Sequence, residues 1–155
     1  MDYYSKIAEG YDRLYAEEQL AKLKIIKEEI RRRGLVLDVG SGSGLSRHFF
    51  KNVVQLDPSV GLLKKSCGFR VCGVAEYLPF KDHVFDSVIS VTSLHHTDVE
   101  KAVEEIRRVA KLRACLGFSI LKRSKNFFKI VSLLKSKFRL KEKDSDKDLI
   151  LIQTC

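Results

Sequence analysis

No stretch of this chain approaches the roughly 20 consecutive apolar residues of a membrane-spanning helix. Its charged N-terminus carries no signal-peptide hydrophobic region either. The two absences predict a cytoplasmic protein with no membrane partner. Cysteine occurs at Cys67, Cys72, Cys115 and Cys155, with no CxxC or other paired spacing. Neither a zinc site nor a disulfide framework is suggested, so buried thiols and no metal are expected. Asparagine (Asn52, Asn126), glutamine (Gln19, Gln55, Gln153) and methionine (Met1) are scarce beside abundant Lys, Arg and Glu, a balance seen in thermophile proteins. Repeats, low-complexity tracts and linkers are missing too. What is there is a chain of 155 residues, 45% hydrophobic, which can bury a core as a single domain. Residues 1–34 read as a lead-in and helix, and 35–155 as the core.

The net charge of +9 is unevenly spread. Residues 107–143 hold thirteen Lys or Arg and one acid, Glu142, leaving sixteen basic and nineteen acidic residues elsewhere. A local excess of this kind suits an acidic partner, RNA first, or equally a solvated lysine-rich surface.

The most informative stretch is LVLDVGSGSG at 35–44. A short apolar run bounded by glycines suits a strand buried on both faces of a parallel sheet. Gly40, Gly42 and Gly44, interleaved with serines, let backbone approach a ligand, and the next helix offers free N–H groups. A phosphate-binding P-loop needs Gly-Lys followed by Ser or Thr, absent here. The dinucleotide fingerprint wants its third glycine where Leu45 stands, which argues against NAD. Asp38, beside the loop, favours a ligand carrying positive charge, such as S-adenosylmethionine with its ammonium and sulfonium. Asp57 closes the second expected strand close to the roughly 20 residues after the loop at which nucleotide-binding sheets place an acid on the ribose hydroxyls.

At this point the chain resembles the class I S-adenosylmethionine-dependent methyltransferases. The resemblance is carried by LDVGSGSG (37–44), QLDPS (55–59), AEYLPF (75–80) and FDSVISVTSLHH (85–96), in the family's order and spacing, and covers roughly the whole chain. It implies a Rossmann-like α/β fold, a seven-stranded mostly parallel sheet of order 3-2-1-4-5-7-6 with helices on both faces. It also implies S-adenosylmethionine as cofactor, held by Asp38, Gly40, Ser41, Gly42, Gly44, Asp57, Pro58, Ala75, Val91 and Thr92. Tyr4 and Tyr11 of the lead-in match positions that fold over the cofactor. Val74 departs from the pattern, standing where similar sequences carry an aspartate on the adenine amino group. Ala75 can still offer its N–H, and Glu76 is the candidate replacement for the acid. A second departure is LRACLG (112–117), which replaces a proline-glycine-glycine turn before the fifth strand.

Apolar periodicity predicts a first helix over 12–33 through Leu20, Leu23, Ile26 and Ile30, with a basic last turn and a stop at Gly34. Short helices are expected over 45–50 and 59–67, and strands over 52–56, 69–74, 85–91, 114–121, 138–143 and 149–152. Thr97 and Glu100 form a capping box for one further helix, and Phe127, Val131, Leu134 and Phe138 mark another. After the fourth strand, His95 or His96 can take a proton from an attacking hydroxyl or amine. Adjacent side chains diverge, so a two-histidine metal site is not expected. Lys122, Arg123 and Lys125 follow the fifth strand at the ligand edge. No Asn-Pro-Pro-Tyr or Pro-Cys motif is present, which disfavours exocyclic-amine and pyrimidine C5 methylation.

Three functions remain open. One is RNA methylation, with resemblance to tRNA wobble-uridine enzymes, some of which work with a small activator subunit. The second is small-molecule methylation of the quinone-biosynthesis type. The third is a non-catalytic, cofactor-binding regulatory subunit.

Overall fold

In the computed structural model, residues 3–31 and 33–155 are described, without the side chains of residues 3–9 and 11. β1 (Val36–Val39), buried at all four positions, pairs in parallel with β2 (Val53–Asp57) on one side and β4 (Phe85–Val91) on the other. β3 (Phe69–Cys72) lies outside β2, and β5 (Ala110–Leu121) runs parallel to β4. The antiparallel β7 (Asp148–Gln153) is inserted between β5 and the edge strand β6 (Lys141–Ser145). The resulting order, β3-β2-β1-β4-β5-β7-β6, is the one the resemblance implies. Composition explains the insertion. β7 reads DLILIQ and can be buried, whereas KEKDS in β6 suits an exposed edge.

Strand alternation divides the core into two layers. Leu37, Val39, Val88, Leu116, Phe118 and Leu151 face α3 (Val99–Val109) and α4 (Phe127–Lys137). Val36, Ile89, Cys115, Ile150 and Ile152 pack with Leu23 and Ile26 of α1 (Tyr3–Glu29) and with Ile30 just after it. At Gly117 the helix comes so close that an added Cβ would lie 2.6 Å from Ile26 Cγ2. Among the described residues no helix is long and apolar enough to cross a membrane.

Several boundaries differ from expectation. α1 begins at Tyr3 and ends at Glu29, so the lead-in is helical, and Arg31, Arg33 and Gly34 lie beyond the last turn. The helix after the glycine loop is a single 3-10 turn, Leu45–His48, and α2 is only Val60–Leu63, capped by Ser59. Asp98, not Thr97, caps α3, because Thr97 Oγ1 is engaged with the Leu94 carbonyl at 2.7 Å. β5 starts directly at the α3 C-cap, Ala110. Residues 111–114 bulge out between the pairs Phe85↔Ala110 and Ser87↔Cys115, where the usual turn would stand.

The expectation of four buried thiols is also corrected. Cys67 and Cys72 are exposed, and Cys115 is joined to Cys155 in a disulfide, Cα atoms 4.8 Å apart. The pairing Leu116↔Gln153 of β5 with β7 brings these distant cysteines together, a proximity that sequence spacing cannot reveal.

Candidate active site

The crevice opens at the carboxyl ends of β1, β2 and β4, where strand order reverses. The glycine loop is laced to β2. The Gly40 and Ser41 N–H groups both donate to the Leu56 carbonyl, at 2.8 and 2.9 Å. Asp57 accepts the Gly42 N–H on Oδ2 (2.9 Å) and the Ser59 N–H on Oδ1 (2.8 Å), and its remaining lone pairs can take further donors. The three glycines serve different ends. A Cβ at Gly40 would strike Ser93 Oγ and one at Gly44 would strike Gln55 Oε1, so the protein's own packing demands both. Gly42 has φ 56° and nothing within 4 Å of an added Cβ. There the missing side chain leaves room for something else.

Alternation along β1 turns Asp38, like Val36, toward α1. It lines a cavity of about 50 Å³ with Tyr15, Gln19, Leu23, Val91 and residues 40–43. Burial pushes its pKa up to about 7; the Ser46 hydroxyl offsets part of this and the Asp57 charge adds to it. Ser41 Oγ is buried without a hydrogen-bond partner. A buried carboxyl titrating near neutrality, an unpaired hydroxyl and an open glycine fit a ligand with a cationic, polar end, as S-adenosylmethionine has.

Beyond β3, the segment with Ala75 and Glu76 is held by α3. Arg108 donates to the carbonyls of Leu78 (2.9 Å) and Phe80 (2.7 Å), while Glu105 accepts the Leu78 N–H at 2.7 Å. Ala75 is buried and Val74 is 41% exposed. Glu76 accepts the Asp98 N–H at 3.4 Å. Pro58 lies between Asp57 and the cap residue Ser59, its carbonyl 3.6 Å from Cys72 Sγ.

The far side of the crevice is built around a buried ion pair. Lys22 Nζ lies 3.0 Å from Asp148 Oδ1, with both side chains almost fully enclosed. Thr92 joins them, accepting from Lys22 (3.0 Å) and donating to Asp148 Oδ2 (2.9 Å), and Ser119 donates to the same oxygen. These contacts, with the Thr92 N–H on the Ser119 carbonyl at 2.9 Å, hold Thr92 at φ 51°, a backbone unfavourable for a β-branched residue.

Next to this net is a pocket of about 270 Å³, roofed by Leu14, Tyr15, Glu18 and Gln19 of α1 and bordered by His95, His96, Leu121, Arg123 and Lys147. Burial, and then the neighbouring His96, hold His95 below the usual histidine pKa, and its Nδ1 is buried without a partner. A neutral imidazole with an unpaired ring nitrogen can accept a proton. The two rings do not diverge as expected. They share the 3-10 turn Leu94–His96, with centroids 3.9 Å apart.

Of the three rim cations, Arg123 lines this pocket, Lys122 pairs with Asp144, and Lys125 has no ion-pair partner among the described residues. Much of the basic segment lies elsewhere. Arg113, Lys135, Lys137, Arg139 and Lys141 line a groove of about 680 Å³ at the opposite end of the sheet, where β6 and the packed part of β5 begin.

Tyr15, Gln19, Lys22, Ser119 and Asp148 escape the sequence reading. Gln19, Lys22, Leu23 and Ile26 are buried residues of one α1 face, continued by Ile30. Two polar residues on an apolar stripe were thus a readable sign. Asp148 and Ser119 have no local pattern to mark them. The side chains of Tyr4 and Tyr11 lie outside the described residues.

A family profile described as a methyltransferase domain matches residues 37–116. An uncharacterised protein of Methanocaldococcus jannaschii is 33% identical over 145 residues, covering 89% of this chain, and the chain spans 58% of that relative's length. Among solved structures, an S-adenosylmethionine-dependent methyltransferase of Thermotoga maritima, described as a possible histamine N-methyltransferase, superposes with a TM-score of 0.75 at 19% identity, covering 97% of each chain. A structure of the Haloferax volcanii Trm112 methyltransferase activator in complex gives 0.72 at 16% identity, covering 94% of this chain and 93% of that one. At these identities the structural likenesses speak for the fold.

Proposed function

The chain belongs to the methyltransferase-domain family, for which fold and family imply S-adenosylmethionine as cofactor, and from that premise we propose that it transfers the cofactor's methyl group to an acceptor bound under α1. Residues 1–155 are taken as one such domain. The arrangement that carries the reading is Asp57 tied to Gly42, with Asp38 buried alongside. Asp57 would hold the ribose hydroxyls, residues 40–44 and Ala75 the nucleoside, and Asp38 the ammonium end. The cofactor supplies an already activated methyl group, so the protein's tasks are alignment and, for a neutral acceptor, removal of a proton. His95 is the base in this proposal, lining the pocket and held neutral by its partial burial and by the neighbouring His96. His96, exposed beside it, is the alternative.

Two acceptor readings divide the observations. RNA, tRNA in particular, is supported by Arg123 at the crevice, by Lys125 two residues further along the chain, and by the basic groove beyond. A small activator subunit, as in the Haloferax complex, belongs with that reading. A small-molecule acceptor is supported by the pocket, which α1 covers. Incubation with methyl-labelled cofactor and separate RNA, protein, lipid and small-metabolite fractions tests them. Label in RNA supports the first reading and label in small molecules the second. Cofactor binding with no labelled fraction would indicate a regulatory subunit, and no cofactor binding would overturn the proposal.

A further inference from the structure

We infer that the pocket under α1 takes a small aromatic hydroxy acid, with Arg123 holding its carboxylate; this rests on the methyltransferase reading and names the acceptor class for the same site. Charge matching around the pocket is the starting point. Lys22 is paired with Asp148 at 3.0 Å and Lys147 with Glu18 at 2.7 Å. Arg123, the remaining cation of the lining, has no carboxylate partner among the described residues. It also stands close enough to Lys147 to oppose that ammonium's charge, while Glu18 and, outside the lining, Asp146 favour it. An unmatched guanidinium crowded by a second cation draws an anion, and its planar fork fits a carboxylate with two parallel hydrogen bonds.

The rest of the pocket describes the remainder of the ligand. Leu14, Tyr15 and Leu121 give it apolar walls suited to a flat ring. Its volume of about 270 Å³ lies just under the range of about 300–1,000 Å³ typical of sites for drug-sized ligands, so one ring fits. Lys22, whose Nζ donates to Thr92 and lies 3.0 Å from Asp148, and the neutral imidazole of His95 both line the pocket, and they offer a donor and a proton acceptor to a hydroxyl.

The test is calorimetric titration of the protein loaded with S-adenosylhomocysteine, using 4-hydroxybenzoate and, as its uncharged counterpart, phenol. The carboxylate should tighten binding at least tenfold. Arg123→Gln should erase that difference, Arg123→Lys should retain part of it, and Lys64→Gln, far from the pocket, should retain all of it. Arg123 is exposed, and unchanged S-adenosylhomocysteine affinity in the variants shows that they are folded. Equal affinity for the two probes, an unaltered difference in Arg123→Gln, or label passing to tRNA while neither probe binds would overturn the inference. Failure of S-adenosylhomocysteine itself to bind would instead overturn the methyltransferase reading.

Discussion

Asp38 titrates near neutrality because α1 and the glycine loop bury it while no cation among the described residues compensates. Its folded pKa, about 7, stands above the ordinary 3.8, so the folded chain keeps a proton that the unfolded chain gives up between those values. The stability this contributes is complete below about pH 3.8 and is lost as pH rises through about 7. A bound ammonium reverses the preference by favouring the ionised carboxylate. S-adenosylmethionine affinity should therefore climb between pH 6 and 8, by no more than about tenfold per unit for one linked proton, and then level off. Calorimetry across that range checks it, and Asp38→Asn should flatten the profile. Asp57→Ala and Gly42→Val should each abolish detectable binding, the first by removing the ribose acceptor, the second by placing a branched side chain where φ is 56° and the space is open. Both acids were legible because they adjoin the glycine loop or end a strand. Lys22 and Asp148 were not, since 126 residues of chain separate the partners and only the packed sheet brings them together.

At the scale of elements, α1 is held to the sheet by apolar packing on Gly117 and by one buried ion pair. Such a pair gives little net stability when intact but is costly to break, because the surviving charge stays buried. Asp148→Asn should therefore cost about 3–5 kcal/mol in urea denaturation. The double replacement Lys22→Met with Asp148→Leu should recover most of that loss, whereas a recovery of nothing would mean that Thr92 and Ser119 need the carboxylate for themselves. Strand order was readable because β1, β4 and β7 are apolar on both faces and the family's blocks follow one another in sequence. Element ends were harder. Thr97 looks like a cap and is occupied by the turn before it, and LRACLG marks an unusual connection without revealing the bulge at 111–114, which depends on the register of β5 against β4.

For the molecule as a whole, the question is where the excess positive charge is available. Along the far groove Lys135 pairs with Glu142 and Lys137 with Glu104, so much of that charge is already neutralised. Arg139 and Lys141 have no ion-pair partners among the described residues and carry the uncompensated field there. At the crevice the corresponding residue is Arg123, with Lys125 two residues further along the chain. An RNA spanning both ends must release counterions at both, each phosphate contact adding about 0.7–0.9 to the slope of log affinity against log salt. On the RNA reading, Arg139→Glu with Lys141→Glu should lower that slope by about two contacts' worth while leaving S-adenosylhomocysteine affinity unchanged. Filter binding of tRNA across a salt series measures it. A flat salt response in the unaltered protein would leave the far groove a solvated surface and the acceptor a small molecule. The distinction follows from geometry, because a ligand confined to the pocket under α1 meets Arg123 and never reaches Arg139.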